Sequence, residues 1–265
     1  MIEEVQIDDV DSLIRSLNEL PNNFIYRGHA DASWGLASTL QRTLGSKWSR
    51  PEATKFENYS LEAFQSKYHI YQSAEHSPAS KLAWLSVMQH YGVPTRLIDF
   101  SESPFVSLYF ALEAYNPAST ADLAVYALDY SAIMEASVKY ISNKDTSFKK
   151  TRLEVASEKD NVFDDVVDRF SYEMLWVTEP LQLNARIDRQ AGTFVLSCDA
   201  SKSIEALLAS ESYDECVAKK FRISGSLYTN LFALLRKMNI NAKTIYGDLA
   251  GLAKSIRMEL QAYAI

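Results

Sequence analysis

The chain is poor in cysteine, glycine and proline, with two, eight and seven among 265 residues. Two cysteines, Cys198 and Cys216, cannot build a disulfide scaffold, so a reducing cytoplasm is the expected setting. So little glycine and proline excludes collagen-like repeats, and an ordinary 23 % of charged residues excludes long disorder. No run approaches the roughly 18–20 apolar residues of a spanning helix; the longest near-apolar stretch is 105–112. The opening Met1-Ile2-Glu3-Glu4 is acidic where a signal peptide needs basic residues before an apolar segment. The expectation is a soluble, cytoplasmic protein with no membrane partner. With no internal repeat and no linker-like tract, it should form a single domain over 1–265.

Positive charge is scarce as well. Lys and Arg number 27 against 34 Asp and Glu, and the net charge of −7 argues against a dedicated duplex-DNA binder. Lys144, Lys149, Lys150 and Arg152 crowd one segment, which reads more simply as a solvated loop than as a phosphate patch. The sequence also lacks a Gly-rich phosphate loop, His-Glu-x-x-His, Cys-x-x-Cys and Gly-x-Ser-x-Gly. Its four histidines, His29, His69, His76 and His90, are scattered, so no metal is expected.

Hydrophobic patterning is plentiful. Val5, Val10, Leu13, Ile14 and Leu17 predict an amphipathic helix over 5–20, followed by a short strand at 24–26 running into Arg27-Gly28. Residues 52–71 read as a helix whose aromatics, Phe56, Tyr59, Phe64, Tyr68 and Tyr71, should serve core and interface packing. A helix over 81–91 is closed by Gly92 and Pro94, and a buried strand follows at 96–100. Ser103-Pro104 has the form of a helix start, Ser at the N-cap and Pro at the first position. Further strands are expected at 123–128, 174–177, 193–197 and 218–223, helices at 227–238 and 249–262, and a strand or turn at 243–246. Between the strand at 123–128 and residue 168 no clear pattern emerges. Strands and helices mixed without βαβ rhythm predict an α+β fold.

Two segments are dense in polar residues of unusual type. The first is Tyr26-Arg27-Gly28-His29-Ala30-Asp31, with Trp34 beyond it. An arginine that ends a hydrophobic strand is partly buried and needs an anionic partner, and Gly28 would let a ligand approach the backbone. The second runs from His90-Tyr91-Gly92 through Thr95 and Arg96 to Asp99-Phe100-Ser101. Residue chemistry alone leaves alternatives open. Arg27 could contact a ligand or pair with Asp99 in a buried salt bridge. Arg96 could bind a ligand or cap the preceding helix, and Asp99 could serve a site or the N-terminus of the following one. Trp34 and Trp84 read as core.

These segments resemble the FRG domain family, named for its Phe/Tyr-Arg-Gly motif. Its members pair a Tyr-Arg-Gly strand with Gln-His-Tyr-Gly-x-Pro-Thr-Arg-Leu-Leu-Asp, then Ser-Pro and a helix ending Leu-Tyr-Phe-Ala. Here these stand at 26–28, 89–99 (with Ile98 for the second Leu), 103–104 and 108–111. A third element, Arg-x-x-x-Gln-x-Gly-x-Phe, matches Arg186, Gln190, Gly192 and Phe194. A fourth, Asp-Leu-x-Gly-Leu-Ala-Lys, matches 248–254, although Tyr246-Gly247 replaces the common Phe-Pro. The resemblance spans about 20–256.

The order of elements in that family is similar to an ADP-ribosyltransferase, which implies an ADP-ribosyltransferase-like mixed sheet flanked by helices, NAD as substrate and no metal. It implies nucleotide-binding roles for Tyr26, Arg27, Gly28, His90, Tyr91, Thr95, Arg96 and Ser101, and catalytic roles for Asp99 and Gln190. Breaking the nicotinamide–ribose bond builds positive charge at C1′, which a carboxylate would stabilise. Gln190 cannot supply that charge, and Asp99, Glu102, Glu179 and Asp188 remain open as the acid. The resemblance further implies a toxin or phage-defence effector, with a protein or nucleic acid as acceptor and an antitoxin or defence-system protein as possible partner. The other reading is a non-catalytic sensor domain that binds a nucleotide or a partner.

Overall fold

Seven of the apolar runs pair into one sheet. The computed structural model describes residues 1–72, 77–169, 172–183 and 185–263; His76 and the side chain of Arg186 lie outside the described residues. The strands are β1 (Glu3–Ile7), β2 (Phe24–His29), β3 (Ile98–Ser101), β4 (Leu123–Asp129), β5 (Leu175–Thr178), β6 (Gly192–Ser197) and β7 (Ala218–Ile223). Their spatial order is β1-β7-β4-β2-β3-β6-β5, with β1 parallel to β7 and every other pair antiparallel. The helices in the first half of the chain are α1 (Val10–Asn18), α2 (Thr39–Leu44), α3 (Arg50–Tyr71), α4 (Lys81–His90) and α5 (Pro104–Ala114). After β4 come α6 (Tyr130–Lys144), α7 (Arg152–Ser157), α8 (Lys159–Asp165), α9 (Ala185–Arg189) and α10 (Ile204–Leu208). The chain continues through α11 (Tyr228–Lys237), α12 (Ala242–Tyr246) and α13 (Leu249–Tyr263). The α+β class read from the sequence is the observed one. No helix of the described residues is long and apolar enough to cross a membrane.

The sheet is covered on both faces. One core joins Tyr26, Val125 and Phe221 to Leu108, Leu112 and Leu231 from α5 and α11. A second joins Ile25, Phe100 and Val195 to Ile133 and Leu207 from α6 and α10. A third packs α4 and α8 against Trp176 and Leu196 of β5 and β6. The start of α5 is set as its sequence predicts: the Ser103 hydroxyl accepts from the Val106 amide at 3.3 Å, with Pro104 in the first turn. Gly92, past the end of α4, takes a left-handed φ of 83°.

Several local expectations are corrected. The opening segment is not one helix. Residues Glu3–Ile7 pair with β7, where Lys219 and Lys220 form ion pairs with Glu3 and Glu4 at 3.3 and 3.1 Å, and α1 starts only after the Asp9 cap. Residues 243–246 belong to the short helix α12, nucleated by an Asn241 capping box. On α3 only Ala53 and Glu57 are buried; Phe56, Tyr59 and Tyr71 are exposed, and Phe64 and Tyr68 make tilted or edge-on contacts with Trp84. Trp34 is likewise outside the core, 53 % exposed. The basic segment is locally neutralised, Lys150 by Glu158 at 2.7 Å and Arg152 against the Ser131 hydroxyl and the Tyr130 ring.

The pairing of β2 decides where a cleft can form. Against β4 it is matched along six residues, from Phe24↔Asp129 to His29↔Ala124. Against β3 it is matched at one position, Tyr26↔Ser101. Continued, that ladder would set Gly28 opposite Asp99. Gly28 is instead pressed against α5: a Cβ there would lie 1.8 Å from the Ser107 carbonyl oxygen and 2.9 Å from the Ala111 amide nitrogen. The glycine makes room for a helix backbone rather than for a ligand. Because that backbone is buried and cannot yield, Gly28→Ala should cost about 3 kcal/mol or more of stability. Denaturant midpoints of the two proteins measure this, and a loss below about 1 kcal/mol would mean that α5 is not held against β2 as described.

Candidate functional site

Where β2 and β3 part, a cleft of about 600 Å³ opens between β2, the Trp34–Gly35 loop, α2, α5 and the segment from Gln190 to Tyr246. Arg27 is its organising side chain. The guanidinium Nε donates to His29 Nε2 at 2.9 Å, and Nη1 donates to the Asp99 main-chain carbonyl at 2.6 Å, in the gap where the ladder stops. His29 can accept that bond only with its proton on Nδ1, which faces the Trp34 carbonyl at 3.3 Å. The Tyr126 hydroxyl donates to the same carbonyl at 2.8 Å, so the loop carrying Trp34 is pinned while its indole lines the cleft. Burial first, and the neighbouring Arg27 charge second, lower the His29 pKa from 6.5 to about 4. His29 is therefore neutral at pH 7 and acts as an acceptor.

Arg27 forms no ion pair among the described residues. The salt bridge to Asp99 open from the sequence is replaced by a bond to the Asp99 main chain, and the Asp99 carboxylate is exposed. Burial lowers the Arg27 pKa, the Asp99 charge opposes that shift, and Arg42, lining the same cleft, adds to it. Two cations thus line one cleft with two carboxylates, of which Glu113 is paired with Lys254 and Asp99 is exposed. Neither forms an ion pair with Arg27, and both guanidiniums can meet an anion.

The opposite wall contains Phe110, Glu113 and Tyr246. Glu113 accepts from the Tyr109 and Tyr246 hydroxyls at 3.0 and 2.7 Å and pairs with Lys254 at 3.1 Å. The Lys254 ammonium also stands 4.0 Å over the Tyr246 ring. Burial and then the Glu113 charge push the Tyr109 hydroxyl far above its ordinary value, so it stays protonated and donating. At the floor, the Ser101 hydroxyl donates to the Gln190 main-chain carbonyl at 2.6 Å and accepts from the Ser103 amide at 3.0 Å. Ser101 is a fastening for Gln190 rather than an open ligand group. The Gln190 amide nitrogen, Nε2, is buried and has no hydrogen-bond partner among the described residues. The next residue, Ala191, has a φ of 43°, a strained left-handed conformation for a residue with a Cβ.

Six of the ten residues singled out from the sequence therefore meet in the cleft: Tyr26, Arg27, Gly28, Asp99, Ser101 and Gln190. His90, Tyr91, Thr95 and Arg96 do not line it. Thr95 is buried, donates to Gln89 Oε1 and accepts from the Leu97 amide at 3.2 Å. Arg96, 3 % exposed, pairs with Asp168 and with Glu57 at 3.2 Å, its guanidinium 5.2 Å from the Phe163 ring. Lys81 joins the same cluster through Asp168 at 2.7 Å and Glu57 at 3.6 Å. Arg96 thus neither caps α4 nor reaches the cleft; it ties α3, α4 and the turn after α8 together. His90 and Tyr91 stack edge-on at 4.8 Å, and Tyr91 is exposed beside Phe64. Among the acids considered, Glu179 pairs with Lys159 and, with Glu102, borders a separate pocket of about 230 Å³. Asp188 is exposed on α9, so Asp99 alone of those four borders the cleft.

Sequence reading missed His29, Arg42, Glu113 and Tyr246 as cleft residues. For Glu113 a signal existed: it is the single acid inside an otherwise apolar helix.

The fold and site define an α+β protein whose mixed sheet loses its ladder beside a half-buried arginine. Residues 22–120 match the family model of the FRG domain. Gln190 and Tyr246 lie beyond the matched residues. No curated protein and no solved structure matches the chain significantly.

Two outcomes follow for stability. Arg96→Ala leaves the fully buried Glu57 facing only a distant Lys81, and should cost about 3–5 kcal/mol, read from urea unfolding. His29 binds a proton near pH 4 when folded and near 6.5 when unfolded, so its contribution is complete above about 6.5 and lost as pH falls toward 4. The loss at the acid limit is roughly 3 kcal/mol. His29→Gln should flatten this part of the stability–pH curve, and an identical slope in the variant would contradict the assignment.

Proposed function

We propose that the cleft binds a diphosphate-bearing nucleotide, with NAD as substrate and transfer of its ADP-ribosyl group to a protein or nucleic acid as the reaction. The observation that carries this reading is the state of Arg27: half-buried, oriented by His29 and the Asp99 carbonyl, beside Arg42, and without an ion pair among the described residues. An anion bridging the two guanidiniums would relieve their mutual repulsion and restore the solvation that Arg27 lost. The remaining lining suits the rest of such a molecule. Trp34, Phe110 and Tyr246 offer aromatic faces for planar rings, and the unpartnered Gln190 amide is a donor for a ribose hydroxyl or a carboxamide oxygen. A volume of about 600 Å³ is within the usual range for a cofactor-sized ligand. Transfer breaks the bond between ribose C1′ and the nicotinamide nitrogen and forms one from C1′ to the acceptor. Asp99, exposed at the cleft edge, is the carboxylate free to face the positive charge that develops there. The family resemblance supports extending this to a cytoplasmic toxin or defence effector held in check by a partner protein.

One observation favours the sensor reading. Glu113 is already neutralised by Lys254 and two phenols, and Gln190 carries no charge, so the cleft is better equipped to hold a nucleotide than to cleave it.

The test is incubation of the purified protein with NAD labelled on the adenylate, with and without cell lysate, beside Arg27→Ala verified as folded by circular dichroism. Transferase activity predicts label on a macromolecule, reduced at least about 100-fold in the variant. Free nicotinamide without transferred label would replace transfer by hydrolysis. NAD bound by the wild type, lost in Arg27→Ala and never turned over, would establish the sensor. No NAD binding at all would overturn both.

A further inference from the structure

The helix α13 wears its polarity inside out. Gly251, Ser255 and Met258 are buried against the protein, and Lys254 and Glu259 are half-buried, while Leu249, Leu252, Ile256, Leu260 and Tyr263 are 43–86 % exposed. Their spacing of three, four, four and three residues keeps all five on one stripe of the helix. A surface helix ordinarily buries such a stripe. Lys254 points inward because Glu113 awaits it at 3.1 Å, which leaves Arg257 as the exposed charge beside the stripe.

The stripe is symmetric about its middle. Leu252 and Leu260 lie four residues either side of Ile256, and Leu249 and Tyr263 lie seven either side. Two copies of α13 laid antiparallel across a two-fold axis therefore set Ile256 on Ile256, Leu252 on Leu260 and Leu249 on Tyr263. An isologous interface requires this self-complementarity, and a partner of unrelated sequence does not.

We propose that α13 is a homodimerisation surface whose occupant is α13 of a second copy of this chain. The five side chains expose on the order of 600 Å² per copy, so a pair would bury roughly 1,200 Å², the lower end of the range for specific interfaces. In the adjoining groove of about 500 Å³ between α11 and α13, Phe232, Ala233 and Tyr263 continue the apolar surface, bordered by Arg236, Lys237 and Glu259. A lipid surface suits this helix less well. Membrane-surface helices carry several basic residues along the polar border, whereas on α13 the basic residues are Arg257 and Lys254, the latter engaged by Glu113, and the chain bears a net charge of −7. Across the two-fold axis both Arg257 side chains fall on the same flank, so added salt should tighten the dimer by screening them.

Sedimentation equilibrium of the full chain from about 1 to 200 µM tests the assignment, with dimerisation expected in the micromolar range. Ile256 is exposed, so Ile256→Lys and Ile256→Glu should fold normally by circular dichroism, and each should be monomeric because like charges meet on the axis. Mixed in equal amounts, the two variants should dimerise again, since Lys then faces Glu. A wild type that stays monomeric at the highest concentration overturns the proposal, as does a dimer indifferent to either variant. Failure of the mixture to pair overturns the two-fold geometry. A monomeric wild type that binds vesicles of phosphatidylcholine and phosphatidylserine, and loses that binding on Ile256→Glu, would assign α13 to a lipid surface instead. None of these readings depends on whether NAD is bound.

Discussion

A single arginine stands where two strands of the sheet stop pairing, and the organisation around it follows from how that charge is accommodated. β2 is fully laddered to β4, yet touches β3 at one pair of residues. Arg27 spans the interval by taking the Asp99 carbonyl that a continued strand would have taken. Each hydrogen bond to a charged group returns about 1.5–3 kcal/mol, while moving a guanidinium out of water costs several. Two neutral acceptors leave the account open, and the cleft beside Arg27 is where an anion would close it. Gly28 and His29 serve the same arrangement. One removes a side chain so that α5 can lie on the strand, and the other stays uncharged so that it can accept from Arg27.

Arg96 shows what a closed account looks like. It lies in the neighbouring motif, is more completely buried, and meets Asp168 and Glu57 with Lys81 alongside. Two carboxylates and two cations balance, nothing is left over for a ligand, and the network fastens three helical segments. The same residue type, once on β2 and once just before the neighbouring β3, is used here as a receptor and there as a staple. The difference lies in whether a carboxylate is turned onto the guanidinium: Glu57 and Asp168 pair with Arg96, whereas Asp99 offers Arg27 its main-chain carbonyl.

That distinction also marks how far the sequence could be read. Strand and helix positions were legible where hydrophobic period and caps agree, as at Ser103-Pro104 or in the buried run of β4. They failed where a partner distant in the chain overrides local pattern: Val5 has helical spacing with its neighbours but pairs with Phe221. The aromatics of α3 looked like core because aromatic content signals burial on average, and nothing local reveals that the helix packs mainly through Ala53 and Glu57. For the site, the conjunction of Arg27, Asp99, Ser101 and Gln190 followed from motif resemblance, and the four line one cleft. Thr95 and Arg96 belong to the same dense motif and face away. Density of polar residues foretells buried polar residues, but their partners, Gln89, Glu57 and Asp168, are supplied by tertiary contact. Trp34 was read as core because tryptophan usually is, and only the anchoring of its carbonyl by Tyr126 and His29 explains why the ring remains outside.

The pairing of β1 bears on the order in which the molecule can be assembled. Its partner β7 begins more than two hundred residues later, and the contacts that fix its register, Glu3 with Lys219 and Glu4 with Lys220, span the same distance. β4 can pair with β2 beforehand, but β1 has no edge to build on until β7 arrives. Loop-closure entropy of this length makes such pairing slow, and on a ribosome β1 emerges long before β7 yet can dock only after it. Its two glutamates then have a second use. During the wait they keep an unpaired strand soluble and, carrying the charge opposite to that of β7, they reserve it for the one neighbour with lysines in register.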